Sequence, residues 1–554
     1  MKPFSFDRSI KMKSYKILFF VALAIIFSVK SFAQNWLWAN SGGGTSSDAN
    51  FKFCQDNQGN SYVAGEFRSD PAIFEDDTLH LNGPNEMYVA KYNSSGQLQW
   101  IVSFGGNSTL PNETDYMAYL LFRPQQNSLL IGGAYNGSMT LGTNTLYGSH
   151  GFMAELGLNG TFNWSKSLDY SCLCVDEDGY IFTQHTFSQD HYLDTMWVSA
   201  GLWFAKFDTE GNLQWARRKA NPQPNSIHGT EFAFFKMIER NGIITGYGNS
   251  RTDTLIIDTV VAYPFSYDQN ILASFDTSGI ALWIKPFGGT PELPAFDFLQ
   301  DSKGFYYTYL NFRNWAIFDS DTLFIADPSI IDIVIAKFDS LGNRVWSKQF
   351  FSDDEVFPDA IQVDADYGTV LTGFFRGQIV LGSDTFNSSL TEASNFLIHL
   401  DSSGNHQEVF IYDDIAISAC IFDTSGYFTA CGWFENSPSF SGISLTSNGL
   451  ADAFIARSSP LTAIEENTRQ QNNQLVIYAN PNQGRCKLEI PDEFVHERSL
   501  LLQIFDNTGR MIQQTQVIMN EDKVRVNLEA EAKGIYNVTL SNKKKSYQGK
   551  IVFE

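Results

Sequence analysis

The sequence predicts an all-β protein: a seven-bladed β-propeller closed by its own N-terminal strand, followed by a small Ig-like β-sandwich. Three observations carry this prediction. First, one phrase of short strands recurs seven times over residues 34–460. Its closing positions Trp100, Trp164, Trp215, Trp283, Trp346 and Val409 fall roughly 50 to 70 residues apart, and a fixed long period in an all-β pattern means a propeller or a solenoid. Second, the strand count is offset. Seven first, second and third strands can be marked, but only six fourth strands follow them, and Asn35-Trp-Leu-Trp-Ala39 reads as a fourth strand with nothing before it. A ring needs such an offset, because closure removes the exposed sheet edge that invites aggregation, whereas a solenoid does not. Third, beyond a polar stretch the pattern changes to a separate set of period-2 strands.

The chain begins with a targeting signature. Residues 1–33 carry six Lys or Arg and one acid, with a basic Met12–Lys16, an apolar run of about 13 residues from Ile17 to Val29, and small residues in Ser31-Phe32-Ala33 before Gln34. The run is short for a membrane span, so it is read as a secretory signal peptide, with an uncleaved anchor as the alternative. The residues ahead of Met12 lengthen the basic region, which makes Met12 an alternative start. Since no later apolar stretch is long enough to span, the expectation is a mature chain without a membrane span.

Each repeat then supplies four strands. In the first they lie near Phe51–Gln55, Ser61–Phe67, Met87–Asn93 and Leu98–Phe104, joined by Asp-x-x-Gly and x-x-Gly-Asn turns. The closing tryptophans suit packing between blades, where each buries roughly 200 Å2. A sugar-stacking row is the alternative, and Val409 shows that the position needs bulk rather than an indole. Asp176-Glu-Asp-Gly179 looks somewhat like a calcium loop, but Tyr180-Ile-Phe returns at once to strand and the bidentate acid of such loops is missing. Turn chemistry, with Asp accepting backbone N–H groups and Gly at positive φ, explains it. A recurring third-strand position holds Lys91, Glu155, Lys206, Ser274, Lys337, His399 and Arg457. This mixture argues against a catalytic ring and for a solvated or turn-paired site. Long second-to-third connections such as Arg68–Glu86 and Asn311–Ile330 add surface.

The formal charge of −23 is unevenly placed. The first 33 residues carry +5 and residues 461–554 are neutral, leaving −28 on residues 34–460. Such a body repels nucleic acid and anionic lipid and suits solubility, cations or basic partners. The six cysteines form no disulfide framework: Cys172 and Cys174 share a strand face, and Cys420, placed opposite residue 429, is out of register with Cys431. No His or Cys pair has zinc spacing, so no metal and no cofactor are expected.

Residues 461–474, rich in Asn, Gln and Glu, read as a linker. Residues 475–554 follow with Ile477-Tyr-Ala-Asn-Pro-Asn-Gln-Gly484, Leu502-Gln-Ile-Phe-Asp-Asn-Thr-Gly-Arg510, Gly534-Ile-Tyr-Asn-Val-Thr-Leu540 and Lys550-Ile-Val-Phe-Glu554. Order and wording resemble the C-terminal sorting domain (type A) of type IX secretion cargo in Bacteroidota. Two departures are Ala479, where that family has Pro, and a Phe-Glu end in place of a basic residue. The resemblance implies the type IX machinery as partner and a sorting signal at Tyr478, Asn480, Pro481, Gly484, Asp506, Gly509, Arg510, Gly534, Tyr536 and Lys550. It places the chain outside the cell or on its outer surface, after Sec export through the periplasm.

The repeat itself resembles the bacterial β-propeller repeat of secreted Bacteroidota proteins, through Asp56-Asn-Gln-Gly-Asn-Ser-Tyr-Val-Ala-Gly65. That implies a fold more than an activity. Binding or display at the cell surface, toward a glycan or protein ligand, is the first functional expectation. The alternatives are a propeller enzyme acting on glycans, as lyase or glycosidase, and a structural or motility-associated surface protein. No Gly-x-Ser-x-Gly, His-Glu-x-x-His or phosphate loop occurs, Asp208-Thr-Glu-Gly211 is one residue longer than a sialidase Asp-box, and no blade gathers His, Glu and Arg. No catalytic residue is therefore expected. Asp-Thr or Asp-Ser before an apolar residue, at Thr78, Thr195, Thr254, Thr259, Thr322 and Ser340, resembles the O-glycosylation acceptor of Bacteroidota. Repeat consensus alone also explains several of these copies.

Overall fold

A computed structural model describes residues 35–554 apart from 111, 149, 170–171, 221–231, 267–268, 290–296, 320, 326–329, 383, 389–392, 424, 461–474, 476, 491–493, 495–498, 507–509, 519–522 and 543–545. The expected leader at 1–33, the linker at 461–474 and Gly509 lie outside the described residues. Among the described residues there is no α-helix, and none long and apolar enough to cross a membrane.

The short aromatic and β-branched runs form antiparallel sheets in which strands follow chain order. Sheet one runs from Ala49–Gln55 to Leu98–Phe104, sheet two from Tyr116–Arg123 to Phe162–Ser167, and sheet three from Cys172–Val175 to Leu213–Ala220. Sheet four runs from Phe232–Arg240 to Ala281–Phe287, sheet five from Phe298–Gln300 to Arg344–Ser352, and sheet six from Val356–Val363 to His406–Tyr412. Sheet seven takes Ile415–Phe422, Phe428–Phe434 and Asp452–Ser458 from one end of the repeat and Trp36–Gly43 from the other. The pairing of these last two is antiparallel, with Ala39 opposite Ala456 and Ser41 opposite Phe454, and a bulge between Trp36 and Trp38.

The turns show why the Asp-x-x-Gly phrase recurs. In the first, Gln58 and Asn60 N–H groups both donate to Asp56 Oδ1 at 2.9 Å, and Gly59 sits at φ +78°. Asp301 and Asp423 do the same in sheets five and seven. Because Asp423 N–H reaches the Tyr427 carbonyl, the register of that hairpin puts Cys420 opposite Ala430. This corrects the expected partner by one residue: the loop closes around one more residue than the four-residue turn assumed from sequence. All six cysteines are free.

First strands of neighbouring sheets pack on one another, and that of sheet seven packs on that of sheet one. Fourth strands supply a second seam. Trp38, Trp100, Trp164, Trp215, Trp283 and Trp346 each lie over the third-to-fourth-strand turn glycine of the following sheet, at Gly96, Gly160, Gly211, Gly279, Gly342 and Gly404. A Cβ on any of these glycines would come within 2.6–3.2 Å of the indole, and all six have φ between +76° and +85°. In sheet six the equivalent place, opposite His399, is Glu408; this corrects the expected Val409, which pairs with Ile398 one step further along. The indole is absent there for a simple reason. The following sheet is the seventh, whose fourth strand comes from the N-terminus, so there is no such turn for an indole to cover.

Every long second-to-third connection contains a two-stranded hairpin, from Ala72–Phe74 with Asp77–Leu79 in sheet one to Ser439–Phe440 with Ile443–Ser444 in sheet seven. Their tight turns carry positive φ at Glu75, Gly142, Asp194, Asp258, Asp319, Gly382 and Ser441. Where that residue is an acid, its carboxylate caps the start of the same sheet's fourth strand. Asp194 accepts from Leu213 N–H at 3.2 Å, Asp258 from Ala281 at 2.8 Å and Asp319 from Arg344 at 3.1 Å.

Residues 475–554 form two sheets on one core. One orders Ile477–Tyr478, Arg485–Glu489 and Lys523–Asn527; the other orders Met511–Ile518, Ser499–Phe505, Gly534–Ser541 and Ser546–Phe553. Leu488, Ile504, Val538, Leu540 and Ile551 are fully buried between them.

Candidate functional site

The mixed third-strand position is not solvated. Lys337, His399 and Glu155 are all buried, and the basic side chains at this position reach toward the turn acids. His399 Nε2 lies 2.7 Å from Asp364 Oδ2, Lys206 Nζ 3.9 Å from Asp176 Oδ2, and Arg457 bonds Asp423. The cations also lie over strand-opening rings: Lys206 is 4.0 Å from the centre of Tyr180 and Lys337 4.5 Å from that of Phe305. Sheet two inverts the pair. Its turn has no acid, the buried Arg123 takes that place, and Glu155 stands opposite at 3.6 Å. This charge exchange is legible in the sequence once the positions are aligned by strand register. The site holds the turns together.

Sheets two and three depart from the repeat on their surface. The first residue of the third strand lies opposite the end of the second strand in every sheet, at Glu86, His150, Gly201, Gln269, Asp332, Ser394 and Asp452. Except at sheet two the position is buried. Glu86, Gln269, Asp332 and Asp452 use it to accept backbone N–H groups that fold the neighbouring loop inward. His150 is instead half exposed and turns to Asp169, Nδ1 to Oδ2 3.3 Å. A cleft of about 430 Å3 opens there, lined among others by Tyr116, Tyr119, Tyr135, Asn136, His150 and Asp169. On the next hairpin, Tyr192 pairs across to Trp197 with ring centres 4.8 Å apart in an edge-to-face arrangement. These rings are 61% and 57% exposed. The corresponding outward pairs elsewhere are Ile73–Thr78, Thr140–Thr145, Ile256–Val261, Ile317–Thr322, Val380–Thr385 and Ser439–Ser444.

One seam carries a titratable strain. Glu86 Oε1 accepts the Asn82 N–H at 3.0 Å, while Oε2 is buried without a partner beside Gly105 and Asp115. Burial, with a smaller contribution from the Asp115 charge, pushes this acid up to about 7. A raised carboxyl pKa favours the neutral form in the fold, so stability present below pH 4.5 is lost as pH rises through about 7. Glu86→Gln is therefore expected to raise the melting temperature at pH 8 and leave it unchanged at pH 4, with a gain of up to about 3 kcal/mol. Equal melting shifts at the two pH values would contradict the assignment.

The six Asp-Thr and Asp-Ser acceptors are all exposed. Thr78 and Thr322 lie on hairpin strands, Thr195 and Thr259 in hairpin turns, Thr254 just before a hairpin and Ser340 in a third-to-fourth-strand turn. The preceding Asp194, Asp258 and Asp339 have structural roles as caps and turn acceptors, which accounts for their recurrence.

The tail motifs converge on the last strand. Asn480 reads that strand like a backbone segment: its Nδ2 donates to the Lys550 carbonyl and its Oδ1 accepts from Val552 N–H, both at 2.7 Å. After Pro481, the Asn482 N–H donates to Val552 at 2.9 Å and its carbonyl accepts from Glu554 at 3.0 Å. Gly484, at φ +93°, bonds Leu528, and a Cβ there would come within 3.1 Å of Glu529 and Phe553. Asp506 binds Arg510 through both its N–H and its Nε at 3.0 Å. Tyr536 is buried with its hydroxyl on Ala532, and the half-exposed Tyr478 bonds Glu489 at 3.1 Å. Nothing in the structure requires glycine at Gly534.

Residues 476–554 match the family described as Secretion system C-terminal sorting domain. The chain is thus marked for export by type IX secretion, to the cell surface or the medium. No curated protein matches it. Among solved structures, it is similar to a DUF4221 family member from Bacteroides vulgatus, at 7% identity and TM-score 0.31 over 64% of this chain and 95% of that one. It is also similar to a glycoside hydrolase family 32 β-fructofuranosidase of Bombyx mori, at 10% identity and TM-score 0.21 over 69% and 87%. A third is the extracellular domain of a putative hybrid two-component system of B. thetaiotaomicron, at 10% identity and TM-score 0.13 over 93% and 98%. At these values no activity carries over.

Proposed function

We propose that the seven sheets are the blades of a closed β-propeller, and that the chain is a secreted or cell-surface binding protein without catalytic residues. The tail at 475–554 is its address and the propeller at 34–460 its working part. The observation that carries this reading is the match of residues 476–554 to the sorting domain. The succession of packing seams from sheet to sheet supports the ring. The recurrent charged positions are engaged in turns rather than converging on a cleft, which supports recognition by surface loops over turnover. The acidic body points away from nucleic acid and toward neutral or basic partners.

The test is the location of the chain in a type IX-secreting host. The full chain is expected on intact cells, accessible to antibody and protease, or in the medium, and a chain ending at residue 460 is expected to stay inside. Normal external levels of the truncated chain would overturn the reading.

A further inference from the structure

We propose that the cleft of sheet two and the aromatic hairpin of sheet three form one binding site for a neutral polysaccharide. This rests on the surface-binding reading and names its ligand. A repeat built for stability fills equivalent positions with equivalent residues, so departures that stability does not need are informative. Six hairpins hold the outward pair next to the turn with Ile, Val, Thr or Ser, and only sheet five adds an aromatic pair one step further out, at Trp315–Phe324. In the remaining one, Tyr192 and Trp197 stand in solvent above Leu193 and Val198, which already fill the core beneath. The other departure, His150 in place of a buried residue, opens the cleft in the adjacent sheet.

The two places are linked by a track of contacts. Asp169 faces His150 with its carboxylate and bonds His185 Nδ1 through its carbonyl at 2.5 Å. His185 stacks on Phe187 with centres 5.8 Å apart, and Phe187 on His191 at 5.1 Å, one residue before Tyr192. Sugar rings match this combination. A pyranose offers an apolar face of C–H groups to the negative face of an aromatic ring, and a rim of hydroxyls to carboxylate, imidazole and amide groups. The cleft supplies the polar groups in Asp169, His150 and Asn136, within the volume range of small-molecule sites. The exposed rings continue the surface for further units of a chain. The charge of −28 on residues 34–460 selects against uronate or sulfate polymers.

The test is affinity electrophoresis of residues 34–554 in gels holding β-glucan, mannan or xylan, with alginate and a sulfated galactan as anionic arms. Retardation is expected in at least one neutral gel and in neither anionic one. Trp197→Ala and Asp169→Asn should each weaken it by about tenfold or more. Ile256→Ala, at the matching pair of sheet four, should leave it unchanged. All three positions are on the surface, and unchanged melting temperatures will confirm that the variants fold. Absence of retardation in every neutral gel, or retardation that ignores both Trp197→Ala and Asp169→Asn, overturns the proposal. Capture of a surface protein instead would sink the sugar assignment but leave the binding reading standing. Release of new reducing ends would sink the binding reading itself.

Discussion

Deleting residues 35–43 will leave sheet seven with a bare edge and yield an aggregating protein. The segment pairs with Ala453–Ser458 along the ladder, buries Trp36 to 6% exposure against Phe440, and seats Trp38 on Gly96 of sheet one. Its end also holds the first hairpin through Gly42 and Gly43, and Asn40 bonds the Gly96 carbonyl. Loss of a buried Trp alone costs about 3–5 kcal/mol. Together with the ladder this approaches the whole margin of a typical fold. The exposed strand Asp452–Ser458 then presents unpaired backbone groups to other chains. Size-exclusion chromatography and thermal melting decide the matter. Large aggregates or a melting temperature lowered by more than about 10 °C are expected. A monomer with unchanged melting temperature would mean that the strand does not close the ring.

The second large effect is expected in the tail. Gly484→Val forces a β-branched residue into φ +93° and drives its Cβ within about 3 Å of Glu529 and Phe553. Backbone strain of about 1–3 kcal/mol and overpacking of similar size add at one point. Asn480→Ala removes both side-chain bonds to the last strand and leaves its Lys550 carbonyl and Val552 N–H without that partner. Both variants should detach Ser546–Phe553 from the motif and hold the chain inside the cell, while sheets one to seven melt as before. Immunoblots of medium, surface and periplasmic fractions provide the measurement. Wild-type external levels for Gly484→Val would show that the folded tail is not what the machinery reads.

Much of the strand pattern was legible because its signals are local. Alternating apolar residues, Asp-x-x-Gly turns and closing tryptophans each declare themselves within ten residues, and the unmatched Asn35–Ala39 announced the partnership of the two chain ends. What escaped was relational. The role of a closing Trp depends on a glycine some 60 residues later in the next sheet, as for Trp100 and Gly160, so the missing indole of sheet six could not be explained from its own repeat, and register moves its place from the expected Val409 to Glu408. The hairpins between second and third strands are only two to four residues per arm, and their turns rest on positive φ at acids such as Asp194 and Asp258, residues that also suit loops. Arg123 and Glu155 looked like noise until register set them opposite the turn. In the tail, the motif order was readable, but not that Asn480 acts as a surrogate backbone for the last strand. The cleft of sheet two was invisible for a different reason. His150 signals nothing alone and matters only because equivalent positions are buried.

Binding without turnover is the claim on which the functional reading stands, and one experiment addresses it directly. Purified residues 34–554 are incubated for a day with neutral and anionic polysaccharides, sialosides and peptides, and both bound ligand and reaction products are quantified. Retention of a ligand with no new reducing ends, unsaturated uronates, free sialic acid or cleaved peptide is the predicted result. Catalytic release of any such product, abolished by a single substitution in a loop, would contradict it.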